Sequence, residues 1–469
     1  MTVVAASELA EQEQPGSFYV YLISAVAALG GLLMGYHLVI IGAAIIFLKT
    51  AFDLSPVAIG FAVSSAAIGC VVGPAVAGSL GERIGRKWTL AIAGCFFGAA
   101  AVGTAFAGNL VQFNAFRILG GLGVGIASVS SPMYLAEVAP ARIRGRLVTC
   151  YQLAVVTGGL ASIVVSYWLA PSGNWRWMFA AQVIPSCALL FGLLLAPESP
   201  RWLVEKGRQP EALRIMTRIS GSREAEIEIE AISRSLAVPG ETGRMSELFR
   251  PGTRVALLIA VSLAVLQQWT GAGTLFLYAP VIFQKAGFYK AQDALMQTIL
   301  LNVWNLICTL VAFWLVDRVG RRPLLLTGIA GMAAGFVGMG AVFKFGLSGG
   351  YVLGIMLVCV GTYAISLGPL PWLIMSEIFP TRLRGKAMAI GSLSVWLALF
   401  VANQAFPPLV SDLEKKFGTP ALAFWVFAAV CCVAFVFAWQ MVPETKGKTL
   451  EEIARSWTPA DDRRIRSQA

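Results

Sequence analysis

Long apolar stretches of roughly twenty residues, the length a helix needs to cross a bilayer's hydrocarbon layer, alternate with short polar segments along the whole chain. The pattern predicts twelve helical spans, near 18–46, 57–80, 88–107, 111–135, 147–169, 177–196, 253–283, 294–316, 323–345, 351–375, 387–409 and 420–442. One longer polar segment, 197–252, mixes acidic and basic residues and divides the twelve spans six and six. Within it, Pro210 to Ser220 and Arg223 to Ser235 have enough helix formers to be short helices along the membrane face, acting either as a tether or as a brace for a gate. The domains expected are a tail (1–17), a six-helix bundle (18–196), a linker (197–252), a second bundle (253–442) and a tail (443–469).

Interruptions inside the spans carry information too. Gly121 and Gly125 in the fourth span form a small-xxx-small pair that lets another helix approach closely. In the tenth, Gly361, Gly368, Pro369 and Pro371 are expected to break the helix, and such breaks need partners in protein or a water-filled cavity. Broken helices at mid-membrane depth point to a binding site.

The polar segments repeat. Glu82-Arg83-Ile84-Gly85-Arg86-Lys87 returns as Asp317-Arg318-Val319-Gly320-Arg321-Arg322, Glu137 to Arg146 returns as Glu377 to Lys386, and Pro197-Glu198-Ser199 returns as Pro443-Glu444-Thr445. The chain reads as a duplication, and two homologous halves around a central site are how many transporters work.

Composition agrees: 57% hydrophobic and 13% charged residues lie outside soluble globular ranges. The net charge of +11 would suit nucleic acid were it not confined largely to loops. Four of them carry three basic residues each, while the alternate loops carry none to two, so the positive-inside rule places the motif loops, the linker and both termini in the cytoplasm. The location implied is a cell (inner) membrane, crossed many times. The first 17 residues lack the Lys or Arg of a cleavable signal peptide, so the first span is expected to stay. The eight cysteines fall in or beside apolar stretches without metal-ligand spacing and read as core packing.

Several of these motifs together resemble the sugar porter family of the major facilitator superfamily. They are Gly30 to Tyr36, Ser131 to Glu137, Pro197 to Leu203, Gln267-Gln268 followed by Tyr278-Ala279-Pro280, Asp317 to Arg322, and Pro443 to Gly447. The fold class is therefore an all-α membrane protein, with twelve transmembrane helices in two pseudo-symmetric six-helix bundles and short cytoplasmic helices between them. The resemblance implies alternating-access transport of a monosaccharide or polyol, without a cofactor. Because each chain holds its own pathway, a monomer is expected.

The charged motifs read physically as gate latches, in which an acid at a span end pairs with an Arg of a neighbouring helix in one conformation, or simply as topology anchors. The candidate latch residues are Glu82, Arg83, Arg86, Glu137, Arg144, Glu198 and Arg201, with Asp317, Arg318, Arg321, Glu377, Arg384 and Glu444 in the second half. For the solute, the resemblance points to Gln152, Gln267, Gln268 and Asn305, with Trp372 and Trp396 as aromatic walls. Amides donate and accept, as sugar hydroxyls do; inside a membrane they also bond helix to helix. Gly273, Leu277, Val395 and Gly159 depart from the family pattern and leave fewer polar groups for a sugar.

Proton-coupled members carry an Asp in the first span facing an Arg of the fourth, and some carry a second acid in the sixth. Here those acid positions hold His37 and Gln182, while Arg117 is kept. No Asp or Glu falls at mid-membrane depth. An intramembrane Arg is costly and needs an acceptor, which a neutral His37 ring can offer; a proton on that ring would set two like charges side by side. Three readings stay open: His37 as a neutral partner in a facilitator, His37 as a substitute proton carrier, or His37 and Arg117 attracting an organic anion such as a sugar acid. A nutrient receptor of transporter shape is a further alternative. An enzyme is not expected, since no nucleophile and base meet at mid-depth and one His cannot build a metal cluster.

Overall fold

A computed structural model describes residues 17–140, 143–237, 244–347 and 349–446. Twelve helices in it are long and apolar enough to cross a membrane, from Tyr19–Ala51 to Ala421–Met441. Six precede the linker and six follow it, as the hydropathy pattern predicts. Their surfaces show why they need lipid, with Trp168, Phe191, Trp314 and Trp439 among the large apolar side chains left exposed on the protein's outside. Cys95, Cys150, Cys187 and Cys432 are exposed as well, so only half of the cysteines serve as core packing.

Small residues set the closest helix contacts. A β-carbon on Gly121 would lie 1.9 Å from the carbonyl oxygen of Ala66, and one on Gly125 would lie 2.7 Å from the Cα of Gly73. The second and fourth spans thus touch backbone to backbone, as the small-xxx-small pair predicts. The tenth span breaks between Ile365 and Leu370, at Gly368 and Pro369 but not at Gly361. Two breaks were not anticipated. The seventh span is three segments, Thr253–Trp269, Ala272–Leu277 and Ala279–Lys285, and the sixth is interrupted at Ala181 and Gln182.

The linker forms the helices Gln209–Ser220 and Ser222–Ala237 at almost the expected bounds. They belong to the first bundle. Met216, Ile219 and Ala225 join its core, the Arg218 guanidinium stacks 3.8 Å from the Tyr19 ring centre, and Arg144 pairs with Glu228 at 3.4 Å. The turn Met245–Phe249 belongs to the second, where Leu248 enters the core and Glu247 pairs with Arg382 at 3.1 Å.

The halves meet at the membrane face away from the motif loops. Gln404 of the eleventh span donates to the Val57 carbonyl at 3.1 Å and accepts from the Ser64 hydroxyl at 3.1 Å. Gly60 admits this contact, since a β-carbon there would lie 2.5 Å from the Gln404 carbonyl oxygen. Gly42 similarly faces the Leu277 carbonyl, and Ala43, Ile163, Ala170 and Leu295 form a small apolar cluster across the seam.

Candidate transport site

The two motif networks are near copies. Arg86 pairs with Glu137 at 3.0 Å and Arg321 with Glu377 at 3.1 Å. The hydroxyls of Ser199 and Thr445 donate to the same two glutamates. Glu198 and Glu444 accept main-chain N–H groups at the following helix starts, from Arg86 and Lys87 and from Arg321 and Arg322 respectively. Gly85 and Gly320 make this possible: their φ angles of 94° and 104° suit glycine, and a β-carbon on Gly85 would lie 2.2 Å from a Glu198 oxygen.

The copies differ in balance. Oε1 of Glu198 takes the amides of Arg86, Lys87 and Ser199, while buried Oε2 has no hydrogen-bond partner among the described residues. Burial accordingly pushes the Glu198 carboxyl above its usual range, against the pull of those amides. Burial also pushes Glu444 up, but the amides of Lys446, Arg321, Arg322 and Thr445 together outweigh it and hold that carboxyl low.

The expected roles of some motif residues change. Glu82, expected to pair with an Arg, has an exposed side chain and no ion pair among the described residues; its carbonyl instead accepts from the Trp202 indole at 3.1 Å. The acid that holds Arg86 is Glu137, and the one that holds Arg321 is Glu377. The Asp317 side chain lies outside the described part. Arg83 and Arg201 are exposed. The guanidinium of Arg318 packs 4.0 Å from the Trp314 ring centre, and Arg384 leaves buried Nε and Nη2 without partners.

At mid-span, Gln267 and Gln268 are buried, 3% and 8% exposed. The amide of Gln267 donates to the carbonyls of Leu367 and Gly368 at 2.7 and 2.9 Å, the groups freed by the break in the tenth span. Gln268 donates to Gln267 at 3.4 Å, and beyond Gly273's own helix backbone its Oε1 is the one atom within 4 Å of where a Gly273 β-carbon would stand. Open space therefore adjoins Gln268. Trp372, half-buried, follows directly on the same break. Gln152 is exposed and Asn305 partly so, and Trp396 is buried with its indole N–H unpartnered. The structure thus joins the glutamine pair to the broken helix, but shows no hydrogen bond from it to Gln152, Asn305 or Trp396.

Asn302 was not anticipated. It is 1% exposed, donates to the Thr298 carbonyl at 2.8 Å, and places Oδ1 3.9 Å from the β-position of Gly159 in the other half. Its spacing from Asn305, one turn of helix, was the available signal. Val39 lies closer still, 3.1 Å from that position, so the space over Gly159 is already filled.

The His37 ring is 1% exposed and rests on the backbone of Gly120, where a β-carbon would lie 2.1 Å from Cε1. The expected bond from the Arg117 side chain to a ring nitrogen is not formed. Arg117 Nη1 donates instead to the His37 main-chain carbonyl at 2.6 Å. Of the ring nitrogens, Nδ1 faces Gln182 Oε1 at 3.2 Å and Nε2 faces the Arg117 carbonyl at 3.4 Å.

A family model described as "Sugar (and other) transporter" matches residues 23–457. The chain belongs to this family. The transporter is 38% identical to the D-xylose-proton symporter of Escherichia coli (strain K12), over 95% of this chain and 97% of the relative. It is 39% identical to the arabinose-proton symporter of Bacillus subtilis, over 94% and 95%. With the glucose facilitated diffusion protein of Zymomonas mobilis it shares 35%, over 93% and 97%. The inward open conformation of the xylose transporter XylE from E. coli superposes with a TM-score of 0.83 at 36% identity, covering 94% of this chain and 100% of that one. XylE bound to 6-bromo-6-deoxy-D-glucose gives 0.75 at 37%, with the same coverage. The transporter is a multi-pass membrane protein of the major facilitator fold, not an enzyme.

Proposed function

We propose that the protein carries a monosaccharide, a pentose or hexose, across the membrane by alternating access, as a facilitator acting as a monomer, with its motif loops and both termini in the cytoplasm. The contacts that close the face away from the motif loops, together with the superposition on the inward open conformation of XylE, support alternating access, and the positive charge of the motif loops supports the orientation. The solute sits between the halves, against Gln268 and the broken tenth span, within reach of Gln152, Asn305, Trp372 and Trp396. The relatives are named for neutral sugars, which favours this reading over a sugar acid or a receptor.

The observation that carries the facilitator reading is the burial of His37. It is the one histidine, it stands beside a permanent cation, and no carboxylate lies at that depth. A second reading, proton symport through His37, draws on both ring nitrogens facing oxygens, an arrangement a protonated ring would satisfy. Counterflow in proteoliposomes with pentoses and hexoses, with and without an imposed pH gradient, separates them. We expect exchange without gradient-driven accumulation; accumulation that vanishes in His37→Ala would establish the symporter instead.

A further inference from the structure

Arg117 places a full positive charge inside the first bundle with no acid to balance it. The acids of the first six spans and their loops are Asp53, in a loop at the far face, and Glu82 and Glu137, at the motif ends. Arg117 is 1% exposed, and the one described hydrogen bond from its side chain goes to a main-chain carbonyl.

Two donors around it are open. Among the described residues, Nε of Arg117 and Nε2 of Gln182 are both buried without a hydrogen-bond partner, and Gln182 is 0% exposed. Both side chains reach His37, Gln182 through its Oε1 at the ring Nδ1 and the Arg117 guanidinium through the His37 main-chain carbonyl. Asn114, one turn before Arg117, leaves buried Oδ1 unpartnered, and rotating its amide would present a donor instead. A water molecule could satisfy these donors, but it would leave the buried charge uncompensated, which is the larger cost. The side chains nearest it, His37 and Gln182, bring no negative charge.

We propose that a small monovalent anion, chloride in a chloride medium, lodges beside these open donors, bound by the Arg117 guanidinium and the Gln182 amide as a resident counter-ion and not as cargo. The inference is independent of which sugar is carried or whether protons are coupled. Its readout is therefore binding, not transport.

The test is thermal unfolding of the purified full-length protein in chloride, bromide or gluconate salts of equal ionic strength. A bound ion raises the unfolding temperature saturably, so chloride and bromide should stabilise the wild type while gluconate, too large to lodge there, should not. In Gln182→Glu a tethered carboxylate takes the ion's place. That variant should unfold in gluconate near the temperature of the wild type in chloride, with its halide dependence gone. In bromide-grown crystals an anomalous peak should stand beside Arg117. Equal unfolding of the wild type in chloride and gluconate would mean water alone meets these donors. Halide stabilisation that persists in Gln182→Glu, or a bromide peak elsewhere only, would place the ion at another site; each of these results overturns the proposal.

Discussion

Gln267 holds two main-chain carbonyls with one amide group, whereas Gln268 spends its amide on its neighbour and turns its oxygen toward open space. The two should therefore fail differently. Gln267→Leu strands both carbonyls, at about 1–3 kcal/mol for each buried group left unpaired, and should lower the unfolding temperature as well as sugar uptake. Gln268→Leu should lower uptake with little change in unfolding. Unchanged uptake in Gln268→Leu would remove the glutamine pair from the solute site. Sequence alone identified the pair but left glue and site as alternatives for both, because the partner carbonyls exist only where the tenth span unwinds. His37 and Arg117 show the same limit: their proximity was legible, but the guanidinium's choice of a carbonyl over the ring depends on backbone placement.

At the scale of the element, the matched helix starts after Gly85 and Gly320 carry unequal acids. Glu444 has a lowered pKa, so its contribution to stability is present above the ordinary carboxylate value of 4.5 and is lost as pH falls through its folded value. Glu198 has a raised pKa, so the folded protein binds its proton more tightly than the unfolded chain, and its ionised form is the costly one at neutral pH. Glu444→Gln should thus lower the unfolding temperature at neutral pH, with the loss fading on acidification. Glu198→Gln should be better tolerated at neutral pH and should shed that advantage as the solution is acidified. Melting curves of both variants across that range check the pattern. Span number, linker helices and the repeat were all readable, since each follows from local composition. The breaks in the sixth and seventh spans carried weaker signals: Gly271, with φ of 86°, marks one, and Pro185, which has no N–H to offer the Ala181 carbonyl, marks the other.

For the whole molecule, closure of one face rests on few polar contacts. Gln404 supplies both a donor and an acceptor across the seam, to Val57 and Ser64, and these groups sit outside every sequence motif, so nothing in the repeats pointed to them. Gln404→Ala should weaken this closed face and shift the population toward the opposite arrangement, a change of about 1 kcal/mol per lost hydrogen bond. Spin labels on the two bundles at that face should report longer distances in the variant, and unaltered distances would show that the apolar cluster around Leu295 suffices.

The linker divides its loyalties: everything up to Ala237 is fastened to the first bundle through Arg218, Glu228 and a shared core, and everything from Arg244 onward is fastened to the second through Glu247 and Leu248. Among the described residues, each bundle thus has linker fastenings of its own. In evolutionary terms, the two halves retain the autonomy of the ancestral units from which a duplicated gene would have joined them, and the covalent join adds proximity more than it adds structure.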